Sequence, residues 1–219
     1  MIHDPSPAGY WRTLLLVGCC TGIVGCGLLF QEGGQGWSNE DRVQASHLQD
    51  DTAGLPAGLG TLRQNEISIY LRRGDLQLRV TPLRESVIRV TAPDTYERLS
   101  ALADGHHRIF RDRTGSAVAF ELFLVAVHAE ATRVRFEPED LNLVSRGLRY
   151  RPADIHPVTP AWERRQVGPQ ETLMAVYAFP PEVDLEESLE VEYQELRDRS
   201  WERIHPRIQA ERFRIRSGG

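Results

Sequence analysis

A chain of 219 residues with 26% charged side chains and a formal net charge of -5 has room for one domain of ordinary size, and it is not a general nucleic-acid binder. Every basic side chain is arginine, because the sequence holds no lysine, so Schiff-base chemistry and lysine nucleophiles are excluded. All three cysteines, Cys19, Cys20 and Cys26, precede Phe30, which excludes thiolate zinc sites, cysteine catalysis and structural disulfides from everything that follows.

Thr13 to Phe30 is an uncharged apolar run directly preceded by Arg12, the arrangement of an export signal. It contains Leu16-Val17-Gly18-Cys19 and Ile23-Val24-Gly25-Cys26. Both tetrads resemble the cleavage box of bacterial lipoprotein precursors: aliphatic, small or aliphatic, glycine or alanine, then cysteine. That resemblance covers only the N-terminal segment. It implies a diacylglycerol on the cysteine thiol and cleavage before it. A signal needs roughly 7–15 apolar residues before the cut, which favours Cys26, with Cys19 as the alternative. Leu28-Leu29-Phe30 continue the run to about the 18 residues of a membrane-spanning helix, so an uncleaved single-pass anchor stands beside the lipid anchor. Arg12 before the run and Glu32, Glu40, Asp41, Asp50 and Asp51 after it place the remainder across the membrane in either case.

Gln31 to Gly60 lacks hydrophobic periodicity and is dominated by glycine, proline and acidic residues, the composition of a flexible tether. The folded domain is expected over 61–219. Ile67 to Leu71 and Leu76 to Thr81 alternate with period two around Gly74-Asp75 and read as a hairpin. Val87 to Thr91 reads as a third strand. Asp94 and Glu97 form a capping-box pattern that opens one short helix, with Tyr96, Leu99, Leu102 and Ala103 on one face and Gly105 at its end.

Ala117 to His128 is apolar on both faces, the pattern of a covered strand, with Glu121 its only acid or base before His128. Thr132 to Phe136, Leu141 to Val144, Leu173 to Phe179 and Leu189 to Tyr193 add further strands. Arg151 to Pro169 is rich in proline and reads as a long loop. Ile208 to Arg216 is expected to be the last strand, bulged near Glu211 where its apolar parity changes. The fold class is therefore mainly β: an antiparallel sandwich with one short helix behind an N-terminal anchor and tether. The stretch from Phe120 to Gly147 loosely resembles immunoglobulin-like domains of bacterial surface lipoproteins, without the Cys–Trp–Cys signature.

Few residues suggest chemistry. His106, His107, His128, Asp154 and His156 lack the paired short spacings of a zinc site. Arg113-Thr-Gly-Ser-Ala117 is not a nucleophile elbow, and neighbouring acids such as Glu139-Asp140 read as solvated. No cofactor is implied. The repeated tripeptides Trp162-Glu-Arg164 and Trp201-Glu-Arg203 suggest either a sugar- or partner-binding surface or two tryptophans packed over the ends of the sandwich with their neighbours paired. Arg212, Arg214 and Arg216, on one face of the expected strand, would either meet lipid phosphates or an acidic partner as part of a binding surface, or offset Glu190 and Glu192 across the sheet.

The expectation is a membrane-anchored cell-envelope protein whose extracytoplasmic domain is a non-catalytic interaction or assembly module with an envelope protein partner. The alternatives are a carbohydrate-binding module built on the two tryptophans and an envelope hydrolase whose site is assembled from the proline-rich loop.

Overall fold

The computed structural model describes residues 55–115 and 119–218. The anchor, with Cys19 and Cys26, and the tether up to residue 54 lie outside the described residues. Eleven strands and three α-helices are present among the described residues. Strands β1 (Ile69–Arg73), β2 (Leu76–Pro82), β3 (Glu121–Ala129), β9 (Thr172–Phe179) and β7 (Asp154–Pro157) form a first sheet in the order β1-β2-β3-β9-β7. Strands β11 (Leu196–Asp198), β10 (Leu189–Tyr193), β5 (Leu141–Ser145) and β6 (Leu148–Tyr150) form a second in the order β11-β10-β5-β6. The short pair β4 (Val134–Arg135) and β8 (Gln166–Val167) stands apart from both. Every pairing between strands is antiparallel, an arrangement consistent with a β-sandwich.

Register explains which side chains enter the core. Cross-strand partners share a face, so Val80, Val125 and Ala175 line one side of the first sheet with Ile69, Phe123, Tyr177 and Phe179. Phe136, Trp162, Tyr177, Phe179 and Phe123 form a chain of ring contacts with centroids 4.8 to 6.3 Å apart. Such pairs add roughly 0.5–1.5 kcal/mol each beyond the area they bury. The Tyr177 hydroxyl donates to the Pro138 carbonyl and the Glu137 amide donates to the Tyr193 hydroxyl, joining the first sheet and the second through the turn before β5.

The opposite face of the first sheet carries Thr81, Leu122, Leu124, Ala126, Val176 and Ala178, all buried. It explains why β3 is apolar on both sides. Its cover is the long helix, numbered α2 here (Pro93–Thr114), which buries Thr95, Leu99, Ala103, His106 and Phe110 at helical spacing. Before it comes a single turn, α1 (Glu85–Ile88), and after β11 comes α3 (Trp201–Ser217).

Five expectations are corrected. The segment Val87 to Thr91 is not a strand: its first residues belong to α1, and only Thr91 makes an isolated bridge, to Leu62. The long helix does not stop at Gly105. It runs to Thr114 and ends at Gly115, whose φ of 61° is the left-handed conformation that glycine adopts freely. Asp94 does not cap it either; Ala92 precedes the helix and Pro93 occupies its first position. The segment Ile208 to Arg216 is helical rather than extended, and Arg151 to Pro169 contains β7, a 3₁₀ turn over Pro160–Arg164 and β8 rather than a bare loop.

The domain also begins earlier than residue 61. Leu55 is 1% exposed, and its carbonyl accepts from Arg89 Nη1 at 2.8 Å. Gly60 lies so close to the main chain of Val90 that a Cβ would stand 2.1 Å from the Val90 carbonyl. No other residue fits there, and the contact lets Leu62 bond Val90 O and Ala92 bond Leu62 O. The last residues of the expected tether are thus part of the fold.

Candidate interaction surface on the C-terminal helix

Helix α3 has an inner face of Trp201, Ile204, Ile208, Glu211, Arg212 and Ile215, all buried. Spacings of three and four keep these residues on one stripe. The stripe is partly ionic. Arg212, 3% exposed, donates from Nη1 and Nη2 to the two oxygens of Glu186 at 2.9 and 3.0 Å and from Nε to Ser86 O at 3.0 Å. His205 and Gln209 reach the same carboxylate at 3.1 and 2.7 Å. Burial works against the Glu186 charge, yet the Arg212 hydrogen bonds and charge, joined by His205, hold its pKa below the ordinary carboxylate value.

One turn away, Glu211 accepts from Arg214 and from both the amide and the hydroxyl of Thr61, each of the last two at 2.8 Å. The Arg214 hydrogen bonds lead in lowering the Glu211 pKa, burial opposes them, and Thr61 assists, leaving it at about 2. Arg214 also donates to Leu59 O at 2.7 Å. The first residues of the domain are therefore clasped by its last helix.

The residues singled out in the sequence do not form one surface. Trp162, 3% exposed, packs among Phe136 and Tyr177. Trp201, fully buried, donates its indole N–H to Leu185 O at 3.1 Å. Neither indole offers a face to a sugar ring, and the carbohydrate module built on them is withdrawn. Arg164 pairs with Glu171 at 2.6 Å. Arg212, Arg214 and Arg216 do not share a face, because two residues along a helix turn through about 200°. Arg212 points inward, whereas Arg214 and Arg216 are exposed. The acids of β10 are met by other arginines: Glu192 by Arg149 at 2.6 Å and by Arg197, and Glu190 by Arg199 at 2.9 Å. Glu121 is also paired, with Arg84 at 2.6 Å; burial raises its pKa even beside that cation.

The outer face of α3 is different in kind. Ala210 and Phe213 are exposed and follow Pro206 at spacings of four and three; Phe213 is 72% exposed. Arg203 and Arg207 stand on the shoulder of this stripe, and neither guanidinium has a hydrogen-bond or ion-pair partner among the described residues. Together with Asn65, Tyr70, Asp198 and Ser200 they line a cleft of about 360 Å³ between α3 and the start of β1. A smaller cleft, about 120 Å³, lies beside Trp162, Glu139 and Arg165.

The histidines come together in a way their spacing does not announce. His106 on α2 and His156 on β7 approach at 3.2 Å, Nε2 to Nδ1. His106 Nδ1 lies 2.8 Å from Leu102 O and must carry the proton there, which leaves Nε2 as the acceptor for His156. Burial lowers the His106 pKa, and the His156 charge adds to the effect. Burial likewise lowers that of His107. Asp154 turns to Arg113 at 3.2 Å, and His128 to the Thr172 hydroxyl at 3.0 Å. Among the described residues no group of three or more histidine, cysteine or acidic side chains is placed to hold a metal ion. Neither cleft contains Asp154 or His156.

No described helix is long and apolar enough to cross a membrane. Comparison with protein-family models, with curated proteins and with solved structures finds no match to this chain.

Proposed function

We propose that this is a membrane-anchored cell-envelope protein whose β domain, held outside the cytoplasm, is a non-catalytic protein-interaction or assembly module. The reading of location rests on the leader, Arg12 followed by the uncharged run to Phe30, and on the lipoprotein-like box at Cys26 or Cys19. The reading of the domain rests chiefly on one observation. Phe213 stands 72% exposed at the end of an apolar stripe on α3, on a domain that otherwise buries its phenylalanines or half-buries them. Aromatic side chains of this kind anchor protein interfaces. The two antiparallel sheets and the buried Trp162 support a loosely immunoglobulin-like description, and two long helices depart from it.

The test is site-specific photo-crosslinking in intact cells. A photoreactive phenylalanine at position 213 is expected to yield a discrete adduct with one envelope protein, and the same group at Leu148, 61% exposed on the second sheet, to yield none. Equal or absent adducts at both positions would remove the interaction reading. Intact mass of the cellular protein tests the anchor separately: a diacylated chain beginning at Cys26 is expected, and an unprocessed, lipid-free soluble chain would overturn it.

A further inference from the structure

The cleft between α3 and the start of β1 concentrates hydrogen-bond donors that the fold leaves unused. Arg203 and Arg207 lie one turn apart on the helix, with Cβ atoms about 6 Å from each other. Neither guanidinium has a partner among the described residues. Elsewhere on the domain comparable pairs of charges are answered: Glu190 and Glu192 by three arginines, Glu186 and Glu211 by Arg212 and Arg214. Two like charges held at this separation repel, and an anion between them relieves the repulsion.

Three neutral donors line the same cleft without a side-chain partner: the Asn65 amide, the Tyr70 hydroxyl and the Ser200 hydroxyl. Ser200 precedes α3, yet its side chain does not cap the helix. The one acid of the cleft, Asp198, uses Oδ1 to accept from the Ser200 amide at 2.7 Å. The two arginines outweigh it, so the cleft is net positive in a chain whose net charge is -5. Its volume, about 360 Å³, lies in the range of small-molecule sites.

We infer that this cleft binds a phosphoryl group, carried on a small molecule or on a lipid headgroup, through Arg203 and Arg207. Guanidinium groups bind phosphoryl oxygens through paired N–H donors. A phosphoryl dianion also offers more acceptor sites than a single carboxylate, which suits two guanidiniums and three neutral donors. The inference does not rest on the proposed interaction module. It uses the shoulder of α3 rather than the Phe213 stripe, and it stands wherever the domain resides.

The test is calorimetric titration of the purified full-length chain, held in neutral detergent micelles so that its N-terminal apolar run is already covered, with pyrophosphate in one arm and with the same micelles doped with phosphatidylglycerol in the other. Saturable heat with pyrophosphate, or heat with the phosphatidylglycerol-doped micelles and none with undoped ones, is expected, and the two arms separate the free from the lipid-borne source. The double change Arg203→Gln, Arg207→Gln is expected to weaken that binding on the order of tenfold or more. The same double change at Arg133 and Arg135, exposed near β4, should leave it unaltered. Asp198→Asn keeps an acceptor for the Ser200 amide while removing the opposing charge, and is expected to tighten binding about threefold. Absence of binding in both arms, or equal weakening by the Arg133 and Arg135 changes, would overturn the inference. Weaker binding by the Asp198 variant would do so as well.

Discussion

The two long helices are attached to the antiparallel sheets by different means. Helix α2 lies on the first sheet through Leu99, Ala103 and Phe110, with the contact between His106 and His156 inside that seam and the Arg113–Asp154 ion pair at its half-exposed C-terminal end. Helix α3 interleaves Trp201, Ile204, Ile208 and Ile215 with Arg212 and Glu211, each engaged by a charged partner and by main-chain groups. A dry seam and an ionic seam bury similar stripes. They differ in what a lost side chain leaves behind, and in the pH at which they loosen.

The largest contrast is expected at Arg212. Arg212→Ala strands Glu186 against α3 without its guanidinium and should cost roughly 3–5 kcal/mol in denaturant unfolding. The double variant Arg212→Met, Glu186→Leu, which removes both charges and keeps the volume, is expected within about 1 kcal/mol of the natural chain. If the double variant is as unstable as the single one, the ionic seam is more than a charge matched to a charge. On the dry seam, Leu99→Ala should cost ~3 kcal/mol through lost burial and the cavity left, whatever the salt concentration.

The two seams should also separate on acidification. The His106 pKa lies below its ordinary 6.5, so the unfolded chain takes up protons first. The contribution of His106 is full above that value and is lost as pH falls through it toward the folded pKa. The charges facing it are His156 and Asp154 on β7, with Arg113 and His107 on the helix. The Glu211 pKa is about 2, against an ordinary 4.5, so its contribution is complete above 4.5 and disappears only as pH falls from there toward 2. Hydrogen exchange, corrected for intrinsic rates, is therefore expected to show α2 losing protection as pH falls below 6.5, while α3 keeps it until pH falls below 4.5. Loss in the reverse order, or together, would erase the distinction. The smallest expected effect is a gain. Gly105 lies inside α2, and a Cβ added there would meet no atom within 4 Å, so Gly105→Ala should stabilise by about 0.5–1 kcal/mol in thermal or chemical unfolding.

Much of the sheet structure is legible in the residues themselves. Leu76, Leu78 and Val80 alternate because one face of β2 is core, and Phe123 to Val127 do not alternate because α2 covers the other. The helices are read less well for identifiable reasons. Gly105 resembles a stop, but the stripe of Leu99, Ala103, His106 and Phe110 carries α2 past it; a histidine in place of an aliphatic residue conceals the continuation. In α3 the spacing of Trp201, Ile204, Ile208 and Ile215 is helical. Pro206 and the buried pair Glu211 and Arg212 interrupt the apolar pattern, while Ile208, Ala210, Phe213 and Ile215 imitate two registers of a strand. The candidate cleft is only partly visible in the sequence. Arg203 stands out beside Trp201, whereas Asn65 and Tyr70 reach the same place from the far end of the domain sequence. Contacts such as Thr61 with Glu211, 150 positions apart, leave no local trace.

The grip of Glu211 and Arg214 on Thr61 and Leu59 has a mechanical side. A pull delivered through the residues before 55 would pass Leu55, held by Arg89, and then arrive at these bonds, before any strand is loaded. The final helix would thus serve as a strain relief, like the clamp on a cable, and trimming the chain before Glu211 would transfer that tension to the glycine threaded under Val90.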